Sequence, residues 1–571
     1  MTTDRQQVAG SEPRRKLVSS KRANWTPKFF TVIREGYGLG NFRADAIAGL
    51  TVAVVALPLA MALGVASGAS PDKGLITAIV AGLVISLLGG SRVQIGGPTG
   101  AFVVVVFNVI AAHGYDGLVL ATLVAGIILV AAGYLRLGLL IRYIPHTVIT
   151  GFTAGIAVII ASSQIRDFLG LAIPNPPADF LPKWIAYLRG AGSIGPATAA
   201  VGIGALVFIL LLRRFAPRLP AYLILIVAGS ALVSLLHLPI DTIGSRFPDM
   251  PHGLPAPAFP AFSFAKLQQI MPAAFTIAFL AGIEALLSCV VADGMTGFRH
   301  RSNQELVGQG FGNIASALFG GLPATGAIAR TAANVKSGGR SPVAGILHAL
   351  FLLLFVLFAG DLMAYVPMAV LAAILLMVAW GMSEVGRFMT LLRMPMGERG
   401  VLILTFLLTV FVDLTVAIAV GVTLASLLFV ARMSEMVTLT SGPVDETEDA
   451  GQRDRLPEDV EVFRITGPFF FGVAGELLDA LKRIGRKPRS IILRLELVPY
   501  LDASGAAAIA EFVAQARGGG TDVVFAGVRS QPFRILKRHG LGRAGRAVRY
   551  ARDFDAALAQ VAVDGPDAGR S

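Results

Sequence analysis

Two charged residues stand where a chain rarely keeps charge. Arg330 lies in "GAIARTAANVK", a short run of small residues between long apolar tracts, and Glu284 stands about ten residues into "AFTIAFLAGIEALLSCVVADGM". A guanidinium in apolar surroundings is a fixed countercharge for an anion. The alternative is that Arg330 snorkels to the nearer surface beside Lys336 and Arg340. Ionisable groups inside apolar spans are rare and tend to be functional. The Glu284 carboxylate can carry a proton, or coordinate sodium with Ser288, four residues on. The competing reading is a static Glu284–Arg330 ion pair that only ties two helices together. Residue types do not choose between proton and sodium.

Other reactive groups are sparse. The single cysteine, Cys289, forms no intramolecular disulfide, and seven scattered histidines offer no paired metal-ligand spacing. "GGSRVQIGGPTG" superficially resembles a phosphate loop but lacks the closing Gly-Lys-Ser/Thr. No nucleophile with a paired base stands in the apolar region. The expectation is therefore no enzyme, no resident metal and no cofactor.

The elements that must hold Arg330 and Glu284 are membrane helices. Of 571 residues 54% are hydrophobic and 15% charged, against about a quarter charged in soluble proteins. Residues 44–432 read as apolar tracts near the ~20 residues needed to cross a bilayer. The candidate spans are 44–66, 73–89, 98–112, 117–136, 144–165, 194–213 and 219–237. A second set is 272–293, 304–320, 326–336, 341–360, 362–382, 399–414 and 416–432. The third, from Pro98, and the tenth, from Thr325, are too short to span as ordinary helices. Pro58 interrupts the first span and frees a backbone carbonyl toward a cavity or simply kinks the helix.

The net charge of +13 sits in the N-terminal tail (Arg14, Arg15, Lys16, Lys21, Arg22), in short loops and in the C-terminal segment. Retention of Lys and Arg on the cytoplasmic side accounts for that pattern and excludes nucleic acid as the partner. It predicts that residues 1–43 and the C-terminus are cytoplasmic, in the inner membrane of the cell. The first 40 residues show no cleavable signal peptide.

An internal repeat organises the spans. "GLLIRYIPHTVI" (138–149) aligns with "GDLMAYVPMAVL" (360–371) at an offset of 222. "GGPTGA" (96–101) aligns with "GGLPATGA" (320–327), Thr99-Gly100-Ala101 matching Thr325-Gly326-Ala327 at an offset of 226. Seven spans per half is odd, so the second half enters from the opposite side and the repeat is inverted. Paired Gly/Pro-interrupted segments in inverted halves point to a transporter site near the midplane. Each broken helix leaves unpaired N–H groups at its start, where the dipole favours an anion. Beyond an acidic linker (433–458), residues 459–571 alternate strand and helix patterns and read as a small α/β domain. There Asp502, Ser504 and Gly505 mark a strand-to-helix turn, with Ser504 as the expected cap.

Four stretches resemble the SulP sulfate-permease family of anion transporters: "GGPTGAF", "NQELVGQGFGN" (303–313), "GAIART" and "YLDASG" (500–505). The last resembles the STAS domain shared by sulfate transporters and anti-sigma-factor antagonists. The resemblance implies an α-helical polytopic fold with a 7+7 inverted repeat of about 14 segments, divided into core and gate. It implies elevator motion, a homodimer, and a small cytoplasmic α/β STAS-like domain that regulates or docks a cytoplasmic protein partner. It places the anion site at Leu59, Leu63, Thr99, Gly100, Ala101, Phe102, Ala327, Ile328, Ala329 and Arg330. It ties Glu284 to cation or proton coupling. Relatives resembling cyanobacterial bicarbonate carriers tend to have no arginine at the position of Arg330, which favours other anions here. In the antagonists the serine matching Ser504 is phosphorylated. The expected function is cation-coupled symport of sulfate first, then a C4-dicarboxylate, then bicarbonate. The alternatives are an uncoupled channel or exchanger, and an anion-sensing scaffold signalling through the STAS-like domain.

Overall fold

The computed structural model describes residues 25–139, 145–173, 176–177, 179–216, 219–248, 253–260, 262–412, 414–435, 437–441, 457, 459–471, 477, 488–542 and 548–563. The basic N-terminal residues, Arg142, Arg218, the acidic linker from 442 and most of residues 472–487 lie outside them. The chain divides into two compact units, residues 1–422 and 423–571.

Among the described residues of the chain, nine helices are long and apolar enough to cross a membrane. Spans 1 and 2 are Leu39–Ala66 and Pro71–Leu88. Spans 3 and 4 share one helix, Phe102–Tyr134, broken at Gly114 (φ 72°). Spans 5 to 7 are His146–Leu169, Pro196–Phe215 and Ala221–Leu235. Spans 8 to 11 are Phe264–Thr296, Ser302–Leu318, Ile328–Lys336 and Pro342–Met363. Spans 12 to 14 are Met368–Met382, Met396–Phe411 and Leu414–Glu435. Fourteen segments follow one another in the order the repeat requires. Span 3 starts at Phe102 and span 10 at Ile328, which are 226 positions apart. Spans 5 and 12 each follow a proline, Pro145 and Pro367, at the other repeat offset.

Some boundaries differ from the sequence expectation, for physical reasons. Span 8 starts at Phe264, eight residues before the expected 272: the Ser263 hydroxyl accepts the Lys266 amide (3.1 Å) and caps an added stretch that carries Lys266, Gln268 and Gln269. Hydropathy does not register such a stretch. Residues 98–101 precede span 3 rather than belong to it. Two short amphipathic helices, Lys28–Gly36 and Phe180–Arg189, escape a search for long apolar runs.

The spans pack in two groups. Spans 1 to 4 and 8 to 11 contact mainly one another; span 5 packs on spans 12, 13 and 6. Spans 4 and 9 approach backbone to backbone. A Cβ on Gly126 would lie 2.7 Å from the Gly310 carbonyl, and one on Gly310 would lie 2.6 Å from the Gly126 carbonyl. Only glycine permits that contact, as small residues do generally between membrane helices.

In the second unit, a five-stranded sheet runs in the order β3 (Thr438–Ser441), β4 (Val460–Thr466), β5 (Ser490–Leu497), β6 (Asp522–Ala526), β7 (Arg549–Ala551). β3 is antiparallel to β4 and the remaining neighbours are parallel. β3 falls inside the segment expected to be linker. One face packs Phe463, Phe512 and Phe525; the other packs Ile492, Val524 and Val561.

Candidate functional site at the crossing of two broken helices

The two extended stretches that precede spans 3 and 10 meet. β1 (Gly96–Gly97) pairs antiparallel with β2 (Thr325–Gly326), Gly96 opposite Gly326 and Gly97 opposite Thr325. The Ala327 amide donates to the Ile95 carbonyl (2.9 Å), and the Thr325 hydroxyl donates to the Ala281 carbonyl of span 8 (2.8 Å). Span 10 thus begins beside Ile95, where the first extended segment enters, while span 3 begins five residues beyond Gly97. In span 3 the first two amides turn back to the preceding loop, Phe102 donating to the Thr99 carbonyl (3.2 Å) and Val103 to the Gly100 carbonyl (3.1 Å), whereas in span 10 the amides of Ile328 to Arg330 come before the first bond into the helix, from Thr331 to Ala327 (2.8 Å).

Arg330 is the third residue of span 10 and only 3% exposed. Its Nη2 donates to the Pro98 carbonyl, while Nε and Nη1 are buried without a hydrogen-bond partner. The side chain therefore turns to the crossing and away from Lys336 and Arg340. Gly97 makes room for it: its φ is +149°, and a Cβ there would sit 2.5 Å from Arg330 Nη1. Leaving a buried donor unpaired costs about 1–3 kcal/mol, more when the group is charged. Nε–H and Nη1 face opposite sides of the guanidinium, so an anion accepting from one of them relieves part of that cost.

Glu284 accepts a hydrogen bond from the Thr99 hydroxyl at 2.8 Å. No ion pair joins it to Arg330 among the described residues; the two charges attach instead to adjacent residues, Thr99 and Pro98. A cavity of about 30 Å³, room for about one water, lies beside Glu284 and is lined also by Phe152, Thr153 and Ile418. Ser288 is fully buried and donates to the Thr331 hydroxyl (3.1 Å), which also accepts the Ile95 amide (3.1 Å). Its hydroxyl therefore braces span 8 against span 10.

The remaining expected residues divide. Gly100 packs against Met382 and Ile160, Ala101 and Phe102 are buried, and Leu63 is in the same apolar cluster with Leu59 on its edge. Ala327 is buried, whereas Ile328 and Ala329 are exposed. Among the described residues no cluster of His, Cys, Asp or Glu is arranged to hold a metal.

Sequence reasoning missed the polar frame behind the crossing. Glu305, fully buried in span 9, accepts the amides of Gly90 (2.8 Å) and Ser91 (3.0 Å) and the Gln309 side-chain amide (2.8 Å). Asn313 donates to the Ala324 carbonyl (2.8 Å) and accepts the Ala324 amide (2.9 Å). Asn334 donates to the Val93 carbonyl (2.8 Å). The "NQELVGQGFGN" run thus anchors the chain leading into both extended segments. Its signal was the spacing: 305, 309 and 313 repeat at four and share a helix face.

In the second unit the helix cap differs from expectation. Asp502 is the N-cap of Ala503–Gly518 and accepts the Gly505 amide at 2.7 Å. Ser504 is the second helical residue and exposed, two places past the cap position.

The comparisons with known proteins agree with this architecture. The profile of the Sulfate permease family matches residues 42–405, and that of the STAS domain matches 454–548. The chain belongs to the sulfate permease family and carries a STAS domain. It is 40% identical to "Putative sulfate transporter YvdB" of Bacillus subtilis over 89% of this chain and 95% of that protein. It is 33% identical to "Bicarbonate transporter BicA" of Picosynechococcus over 87% of this chain and 91% of that one. Among solved structures, the murine Slc26a9 anion transporter in the inward-facing state aligns at a TM-score of 0.84 and 18% identity, covering 98% of this chain and 100% of that one. The transmembrane domain of a cyanobacterial BicA aligns at 0.61 and 32% identity, covering 68% of this chain and 98% of that one.

Proposed function

We propose that the protein is a cation-coupled symporter of a small oxyanion, sulfate first, bound at the crossing of spans 3 and 10. One observation carries this reading: the buried Arg330 guanidinium, in the first turn of span 10, keeps unpartnered donors at the crossing. The relatives are named for sulfate and for bicarbonate, which supports an anion substrate without ranking the two.

The hydrogen bond between Thr99 and Glu284 supplies a coupling route. While Glu284 is ionised, it holds the Thr99 hydroxyl and offsets the field of Arg330. A proton or sodium ion at Glu284 cancels that negative charge and frees the hydroxyl to donate to the anion. Cation and anion then favour each other's binding reciprocally. Thr99, Gly100, Ala101, Phe102, Ala327, Ile328, Ala329 and Arg330 form the anion site, Leu59 and Leu63 bound it, and Ser288 braces it. Spans 1 to 4 and 8 to 11 carry the loaded site past the remaining spans as an elevator, within a homodimer of the inner membrane with cytoplasmic termini. The STAS domain regulates this movement through a cytoplasmic partner.

The test is uptake of labelled sulfate, fumarate and bicarbonate into liposomes holding the purified full chain, under separate proton and sodium gradients. Accumulation of one anion driven by one gradient is the expected result. Flux that equilibrates but never accumulates under either gradient would identify an uncoupled exchanger instead.

A further inference from the structure

A second, larger cavity lies at the C-terminal end of span 1. It holds about 370 Å³ and opens between the end of span 1, span 3, the end of span 5 and the Phe180–Arg189 helix. This is the end of the bundle opposite the Lys28–Gly36 helix, whose Lys28 amide donates to the Gly89 carbonyl at the end of span 2 (3.0 Å).

Three cations, Lys183, Arg166 and Arg246, line the cavity with one carboxylate, Asp167. Asp167 pairs with Arg246 at 2.8 Å and lies 3.9 Å from Arg166, so the two arginines share one negative charge. Lys183 is 6% exposed and has no side-chain hydrogen bond or ion pair among the described residues. Its Nζ lies 5.8 Å from the centre of the Phe107 ring. Burial pushes the Lys183 pKa down, with Asp179 pulling it weakly back up. One turn along the helix, the Tyr187 hydroxyl is also buried without a partner and lines the same space. Three cations against the single lining carboxylate leave the cavity with surplus positive charge, and the Tyr187 hydroxyl lacks an acceptor. A ligand that brings negative charge and acceptor oxygens removes both deficits.

We propose that this cavity is a second anion site, an antechamber that captures a small oxyanion from solution and passes it to the crossing. Val103 and Val104 line it, next in sequence to Phe102 at the start of span 3. A cleft carrying surplus charge of one sign raises the local concentration of its counter-ion. Partial neutralisation by Asp167 keeps the capture weak, so the anion moves on. The inference rests on the transport reading for the identity of the anion.

The first test is direct. The full chain in detergent is treated with limiting acetic anhydride, and acetylation of Lys183 is compared with that of the exposed Lys336 by mass spectrometry. Sulfate is expected to slow acetylation of Lys183 by about three-fold or more over Lys336, and equally in Arg330→Ala. No protection by sulfate overturns the antechamber. The second test is uptake at low ionic strength. Lys183→Gln is expected to raise the half-saturation concentration about five-fold with the maximal rate kept, while Lys183→Arg retains the normal value. An unchanged half-saturation in Lys183→Gln, or an equal loss of maximal rate in both variants, overturns it. Wild-type vesicles that move no anion overturn the transport reading alone, since protection of Lys183 is measured without transport.

Discussion

Replacing Arg330 by alanine tests the crossing where it is most exposed to refutation. The substitution removes the two unpartnered donors, Nε and Nη1, together with the charge behind them. A hydrogen bond to a charged group contributes about 1.5–3 kcal/mol net. Nε–H and Nη1 face opposite sides of the guanidinium, so the anion takes one such bond and about 1.5–3 kcal/mol is lost. At 1.4 kcal/mol per factor of ten, anion affinity falls about 10- to 150-fold. The structural penalty is smaller, because losing the Pro98 contact is offset by no longer burying a cation. Arg330→Lys keeps the charge but not the fork of donors, and its loss falls between those of wild type and alanine. The assay is calorimetric sulfate binding to the full chain, backed by the half-saturation concentration in proteoliposomes at a fixed gradient. Sulfate affinity in Arg330→Ala within about three-fold of wild type, with folding intact by thermal melt, refutes the assignment of these donors to the anion.

Other outcomes follow from the same geometry. Glu284→Gln abolishes gradient-driven accumulation while counterflow exchange of labelled sulfate persists; full accumulation in this variant removes the carboxylate from the coupling step. Thr99→Val lowers sulfate affinity by about ten-fold through loss of one hydroxyl donor to a charged ligand, with the effect greatest where the driving cation saturates. Gly97→Ala forces a side chain into a conformation that L residues rarely adopt and against Arg330, so uptake is lost and the melting temperature of the full chain falls. Asp502→Ala removes the helix cap and costs about 1 kcal/mol locally, read as faster hydrogen exchange at the Gly505 amide, whereas Ser504→Ala leaves exchange unchanged.

The membrane architecture was legible because its causes are local. Apolar run length marks a span, and a span cut short by Gly and Pro marks a broken helix, so both short segments and the inverted repeat could be read directly. Arg330 and Glu284 stood out for the same reason: charge in an apolar tract is conspicuous. What could not be read was which atoms meet. The bond from Thr99 to Glu284 joins residues 185 positions apart, and that from Asn334 to Val93 joins residues 241 apart. Neither has a local signature. The Lys183 cavity was missed because a lysine in a loop between spans is ordinary until the fold buries it. Ser504 was assigned the cap because serine and aspartate both favour that position, and only the start of the helix at Ala503 decides between them.

The pairing of β1 with β2 bears on how such a chain arose. Taken singly, either seven-segment half would leave one edge of its extended stretch with peptide groups unsatisfied at a depth where water is scarce. Two copies inserted in opposite senses would each complete the other. A half-length ancestor would therefore have had to adopt both orientations in one membrane and associate head to tail. Joining the halves in one chain fixes that arrangement while letting them differ, and Arg330 stands where the first half has Val104 at the matching position.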